Sequence, residues 1–319
     1  MKIYVFGGAG FLGQHLIREL SAKDYTPVIC DIVKPNNSSV EHFVVDIRDV
    51  EQLEKIPFSA EDIVINLAAN QYHMKVPKKD RRDFFFRTNA VAVDNILSEM
   101  QRKGCHRLIQ FTTDMTYGVP EYLPVDTCHP QQPFGYYGES KKEAEQICKR
   151  FRGQGFNVTI FRPRMIVGPG RAGILVKLFK LIDFGIPVPT IGSGKNHYQM
   201  ISVFDCVSAT IAAIEKQVPN AEYNLGSKNP PSTKELLQAV ITEAKSRSIV
   251  LLTWAWGVKF VLATLAKIGI EIMYKEQYMI ADKEYILDIS KTEEELGWKP
   301  QYNDRDMIMD AYKTYKSAK

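Results

Sequence analysis

Ile3-Tyr4-Val5-Phe6-Gly7-Gly8-Ala9-Gly10-Phe11-Leu12-Gly13 runs from an apolar strand-like segment through a glycine loop into a helical pattern. The glycines stand at the first, fourth and seventh positions of the loop. A turn stripped of side chains lets the backbone approach a pyrophosphate, whose charge is favoured at the N-terminus of the helix that follows. Glycine triplets also serve ordinary tight turns. The strand-turn-helix context is what makes Gly7, Gly10, Phe11, Leu12 and Gly13 candidate cofactor contacts.

Further short apolar runs follow at Pro27 to Cys30, His42 to Val45, Ile63 to Asn66, Leu108 to Thr112 and Val158 to Phe161, separated by longer helical patterns. That alternation predicts an α/β fold, a doubly wound parallel sheet, because parallel strands need crossover connections. After Arg162 the texture becomes Gly- and Pro-punctuated, as in Gly185-Ile186-Pro187-Val188-Pro189. The expected division is a nucleotide-binding domain over 1–164 with a returning segment at about 201–218. Residues 165–200 and 219–319 are expected mainly in a smaller, discontinuous α/β substrate domain.

Asp31 closes the second strand, where a carboxylate can accept hydrogen bonds from a ribose diol and repel a 2′-phosphate. NAD is therefore favoured over NADP, with Lys34 as a counter-signal; a turn-capping Asp is the plainer alternative. Asp46-Ile47 is expected beside the adenine. Leu67-Ala68-Ala69 supplies small residues where backbone passes the cofactor, and Asn89 on the next helix is a further candidate.

Tyr137-Gly138-Glu139-Ser140-Lys141 puts a phenol and an ammonium four residues apart, on one face of a helix. A neighbouring ammonium, together with an oxidised nicotinamide, is expected to stabilise the phenolate, so that Tyr137 takes a proton from a substrate hydroxyl. Lys141 is also placed to hold ribose hydroxyls. Such spacings arise often by chance. Thr112-Thr113 at a strand end adds a hydroxyl for the same substrate oxygen, on the sheet edge where open α/β folds bind ligands.

Composition narrows the classes. With 41 basic and 37 acidic residues the net charge is +4, too slight an excess to argue for nucleic acid. The five cysteines have no paired spacing for zinc or dithiol chemistry, so no metal is expected and the thiols are read as reduced, in a cytoplasmic protein. The first strand begins directly after Met1-Lys2, which leaves no room for a signal peptide. Ile249 to Ile272 is the most apolar stretch, but Lys259 and Lys267 break it short of a membrane span. It reads by default as a packed helix; a lid over a partly apolar substrate and a surface helix skimming a membrane are the alternatives.

Taken together these residues resemble the NAD-dependent epimerase/dehydratase family, the extended short-chain dehydrogenases that include UDP-galactose 4-epimerase. The similarity runs through the glycine loop, Leu67-Ala68-Ala69, Thr113 to Gly118, Tyr137 to Lys141, Arg162-Pro163, Gly168-Pro169-Gly170, Val203 to Asp205, Tyr223-Asn224-Leu225-Gly226 and Leu296-Gly297-Trp298-Lys299-Pro300. The resemblance implies a Rossmann-like fold, NAD as cofactor with Pro163 among its contacts, and Thr113, Tyr137 and Lys141 as the catalytic set. It implies a homodimer through Phe84 to Arg102 and Tyr137 to Phe151.

Departures from the family's patterns bear on the reaction. Sugar-nucleotide dehydratases carry Thr-Asp-Glu where this chain has Thr113-Asp114-Met115, and Met cannot transfer a proton, which disfavours loss of water. Met165 stands where epimerases often have Asn, and His197 where they often have Arg. Asp114, Met115, Met165, Arg171 and His197 are the substrate-side candidates, and Lys75 to Arg87 reads as a solvated basic helix start. The leading expectation is 4-epimerisation of a sugar nucleotide through a keto intermediate. One alternative is a dehydrogenase or reductase of a more apolar or lipid-linked alcohol, motivated by Trp254 and Trp256. Another is a binding protein without turnover.

Overall fold

A computed structural model describes residues 1–35, 39–171 and 175–317. The first half of the chain lays down β1 (Lys2–Phe6), β2 (Thr26–Asp31), β3 (His42–Val44), β4 (Ile63–Asn66), β5 (Arg107–Phe111) and β6 (Asn157–Pro163). Short strands β7 (Met165–Val167), β8 (Val188–Pro189), β9 (Met200–Ser202), β10 (Glu222–Leu225) and β11 (Val250–Leu251) follow. One seven-stranded parallel sheet has the order β10-β6-β5-β4-β1-β2-β3. β7 pairs with β9, and β8 with β11. Ile63, Val64 and Ile65 are all buried, the continuous apolar run of a strand covered on both faces.

Helices α1 (Phe11–Ala22), α2 (Val50–Leu53), α3 (Arg81–Phe86), α4 (Ala92–Arg102) and α5 (Tyr136–Arg152) lie in the sheet-forming half. Beyond them come α6 (Leu175–Asp183), α7 (Val203–Glu215), α8 (Thr233–Glu243), α9 (Ala255–Lys267), α10 (Lys275–Ile280), α11 (Ser290–Leu296) and α12 (Asp304–Ser317). α1 and α7 bury Leu12, Leu16 and Ile211 on one face of the sheet. α4 and α5 bury Ile96, Met100 and Ile147 on the other. A separate apolar cluster joins α6, α8 and α12 through Phe179, Leu236 and Ile308.

The interleaving runs further than the sequence division. Residues 219–319 were expected mainly in the substrate layer, yet β10 within them is the edge strand beside β6. Tyr223 and Leu225 are fully buried there, and the Asn224 amide donates to the carbonyls of Val125 (2.9 Å) and Asp288 (3.1 Å). Trp298 likewise returns, its indole N–H donating to the Asp205 carbonyl of α7 at 3.1 Å. The helix expected over Phe84 to Arg102 is continuous but contains a π-helical turn at Arg87–Val91, between α3 and α4. Among the described residues, no helix is long and apolar enough to cross a membrane.

Candidate active site

A cleft of about 1760 Å³ opens along the C-terminal ends of the sheet strands, from the glycine loop at one end to α9 and α10 at the other. At its first end the loop must be glycine for packing reasons: a Cβ on Gly13 would lie 2.3 Å from the Gly7 carbonyl oxygen. α1 begins at Gly10 with no side-chain cap and no acidic residue in its first turn. Its free N–H groups and positive dipole end therefore remain available to an anion.

Asp31 is held beside that turn, accepting from the Ala9 N–H at 3.0 Å and the Val33 N–H at 3.1 Å. Asp46 also lines the cleft but is engaged by Arg48, whose Nη2 lies 2.5 Å from its carboxylate and holds its pKa below the ordinary value. Val45 and Ile47 supply apolar wall around it. Leu67, Ala68, Ala69 and Pro163 line the stretch leading inward. An uncapped helix start, an oriented carboxylate and an apolar slot in one cleft fit a dinucleotide.

At the inner end α5 delivers Tyr137 and Lys141. Gly138 lets the helix approach the turn after β5, since a Cβ there would lie 2.7 Å from the Met115 carbonyl oxygen. That approach sets the phenol in the same stretch of cleft wall as the Thr113 hydroxyl and the Gln71 side chain. Burial pushes the Tyr137 pKa up; the Arg171 guanidinium opposes it most, Asp114 adds to the rise, and the polar side chains of Thr113 and Gln71 pull it down. Arg171 is thus a cation beside the phenol that the helix spacing did not point to. The Lys141 ammonium donates to the Phe111 carbonyl at 3.0 Å.

Lys141 is buried, and burial pushes its pKa down to about 8 from 10.5. The folded state disfavours the charged amine, so this group costs stability below pH 8, and the cost is relieved as pH climbs from 8 to 10.5. Lys141→Met is expected to stabilise the cofactor-free protein at pH 7 by about 1–3 kcal/mol. Urea denaturation at pH 7 and near pH 10 should show the advantage shrinking with pH; a constant gap would contradict the assignment.

α5 is braced by charge. Glu145, two turns beyond Tyr137, accepts from the Arg162 guanidinium at 2.6 Å and 3.0 Å and from the Thr112 hydroxyl at 2.8 Å, all buried. Arg162 also donates to the Tyr117 hydroxyl at 2.8 Å.

Three candidates are positioned otherwise than expected. Asn89 does not wall the cleft as a cofactor contact, but it does reach backbone beside it: fully buried in the π-helical turn, it bonds the Asn70 N–H and carbonyl (2.8 and 3.1 Å) and donates to Ser140 at 3.1 Å, tying the strand end after β4 to α5. His197 turns outward to Glu284, 2.7 Å from its Nδ1, while Tyr198 faces the cleft; successive side chains of extended backbone point to opposite sides. Asp114 lines the cleft but is held there in a buried ion pair with Arg164. Met115, Met165 and Arg171 line the cleft, and Arg171 donates to Gln71 at 2.6 Å.

Residues outside the sequence candidates complete the site. Tyr72 stacks on Tyr274 with ring centroids 4.6 Å apart and tilts against Tyr137 at 5.4 Å. Arg164 lies over the Tyr285 ring at 4.1 Å, and its Nη2 has no partner among the described residues. Gln71 was within reach of sequence reasoning, two positions past Ala69; nothing local signalled Arg164.

Residues 3–226 match the model of the NAD dependent epimerase/dehydratase family. The chain belongs to that family. Relatives of this family member include an uncharacterized protein of Sinorhizobium fredii, 28% identical over 98% of this chain and 78% of its own length. A putative UDP-glucose 4-epimerase of Methanocaldococcus jannaschii is 27% identical over 96% of this chain and 95% of its own. Among solved structures, a UDP-glucuronic acid 4-epimerase from Bacillus cereus, in complex with NAD, superposes with a TM-score of 0.79 at 20% identity, covering 100% of this epimerase/dehydratase chain and 99% of its own.

Proposed function

We propose that the protein is a sugar-nucleotide epimerase that inverts the 4-carbinol of its sugar through a keto intermediate. The observation that carries this reading is the Tyr137 phenol, sharing the inner end of the cleft with Thr113, Lys141 and Arg171 while the glycine loop lines the other end. NAD, when bound along the glycine loop and Asp31, would supply the acceptor and donor of the carbinol hydride. Tyr137 removes the hydroxyl proton and restores it, Thr113 holds the same oxygen, and Arg171 stabilises the phenolate. Lys141 holds the ribose. Met115 offers no proton-transfer group, so water loss has no acid in that position.

In the same reading residues 1–164, with the segment 201–218 and the edge strand β10, form the cofactor domain, and most of the remainder shapes the substrate pocket. The relatives named as UDP-sugar 4-epimerases support a sugar nucleotide as substrate. The assembly is a homodimer through the α3–α4 helix and α5. Four of the five free cysteines are buried, which suits a reducing cytoplasmic setting.

A second reading has its own support. The end of the cleft away from the glycine loop is walled by Leu178, Leu181, Val258 and Leu262, which suits a dehydrogenase of an apolar or lipid-linked alcohol. Incubation with UDP-, GDP-, dTDP- and lipid-linked sugars, with products read by NMR, separates the two. Epimer mixtures without net NADH support the proposal; NADH accumulating with a ketone product supports the second reading. Asp31→Asn is expected to weaken NAD binding about tenfold while NADP binding changes little or improves, from the loss of one charge-assisted contact. Fluorescence titration checks this.

A further inference from the structure

α9 is apolar on both of its long sides. Val258 and Leu262 face inward and wall the cleft, while Trp256, Phe260 and Val261 stand outward at helical spacing and Ile268 continues the outer side beyond the last turn. Trp254, at the N-cap, is 77% exposed, Trp256 73%, Phe260 69% and Ile268 68%. A helix that is apolar all round belongs inside a structure, and a contiguous exposed patch of this kind marks an interaction surface.

The charges beside the patch indicate what covers it. Glu271 is the one acidic residue between 249 and 272, and it is paired with Arg81 at 2.9 Å. Asp282, next to the helix, is paired with Lys259 at 2.5 Å. Lys267, Lys78 and Lys177 gather near the C-terminal end. The Lys78 ammonium lies 3.6 Å from where a Gly269 Cβ would sit, and Lys177 donates to the Ile272 carbonyl. All three are exposed, and among the described residues none has a carboxylate within 4.0 Å. Tryptophans at one end, lysines at the other and, within 249–272, a single carboxylate that is already paired form the pattern of an interfacial helix on anionic lipid. A second copy packed about a two-fold axis through this end of α9 would set the same lysines against each other.

We propose that the outer face of α9 docks the protein on an anionic membrane surface. This goes beyond the proposed epimerase activity and does not depend on it. Because the inner face of the same helix walls the cleft, docking sets the cleft about one helix diameter, ~10 Å, from the lipid.

The test uses the full chain with vesicles of phosphatidylcholine alone or mixed with phosphatidylglycerol. Sedimentation with the anionic vesicles is expected, weakening as salt is raised, together with quenching of tryptophan fluorescence by brominated lipid. Trp298 is buried, so Trp254→Ser/Trp256→Ser should abolish the quenching. Phe260→Ser/Ile268→Ser should lower partition about tenfold or more while leaving thermal unfolding and turnover of a water-soluble substrate unchanged. The proposal is overturned if the wild type ignores anionic vesicles or if Phe260→Ser/Ile268→Ser binds them equally well. It is also overturned if sedimentation velocity shows this variant breaking a wild-type oligomer, since a second copy then covers the patch.

Discussion

Replacing Tyr137 by Phe is expected to lower kcat by about 10²–10⁴, the range for loss of a positioned general base. One oxygen is removed, and the ring keeps its contacts with Tyr72 at 5.4 Å and Phe85 at 6.0 Å. Fold and cofactor content should therefore survive, and mass spectrometry of the purified variant checks the latter. The buried hydroxyl that burial alone would keep protonated has Arg171, Thr113 and Gln71 arranged against that tendency. Arg171→Met should accordingly move the alkaline shift of the kcat profile upward while lowering kcat less than the loss of the phenol. Unchanged turnover in Tyr137→Phe would remove the base from the mechanism.

The second large effect lies behind the helix that carries Tyr137. Arg162→Met leaves the Glu145 carboxylate buried with only Thr112 and Gln131 as donors, at 2.8 Å each. Breaking one side of a buried pair costs about 3–5 kcal/mol, because a charge is stranded away from water. Replacing both partners, Arg162→Met with Glu145→Leu, removes the stranded charge and should recover most of that loss. Denaturant unfolding of the two single variants and the double variant measures the coupling. A double variant no more stable than the singles would show that the pair is not what braces α5.

What could be read from the chain alone was local. The glycine loop, its flanking strand and helix, and Asp31 at the next strand end lie within about thirty residues, and each has a periodicity or turn signature of its own. Tyr137 and Lys141 share a helix face by simple spacing. The partners of these groups were not legible because they come from distant segments. Arg164 meets Asp114 across fifty positions, which turns a substrate candidate into half of a buried ion pair. Arg171 bears on Tyr137 from thirty-four positions away, in addition to the Lys141 that the spacing pointed to.

Register hid the rest. In the extended segment at 197–198 a shift of one position exchanges the inner and outer side chains, so that Tyr198 rather than His197 faces the cleft. A similar ambiguity applied to Tyr223-Asn224-Leu225, whose apolar character suits a sheet edge as well as a separate layer. α9 was legible as a helix, but its hydropathy alone did not distinguish an inner wall from an outer surface. Only the burial of Leu262 and half-burial of Val258 against the exposure of Trp256 and Phe260 did.

The most direct measurement follows a label on the reacting carbon. A sugar nucleotide carrying deuterium at the 4-carbon is incubated with the protein in ordinary water, with a trap for any NADH that leaves. Hydride that is removed and returned within one closed cleft must keep its deuterium, so the inverted product should carry the label at the same carbon with none in the trap or solvent. Inversion with loss of the label, or ketone with label in the trap, would contradict the account.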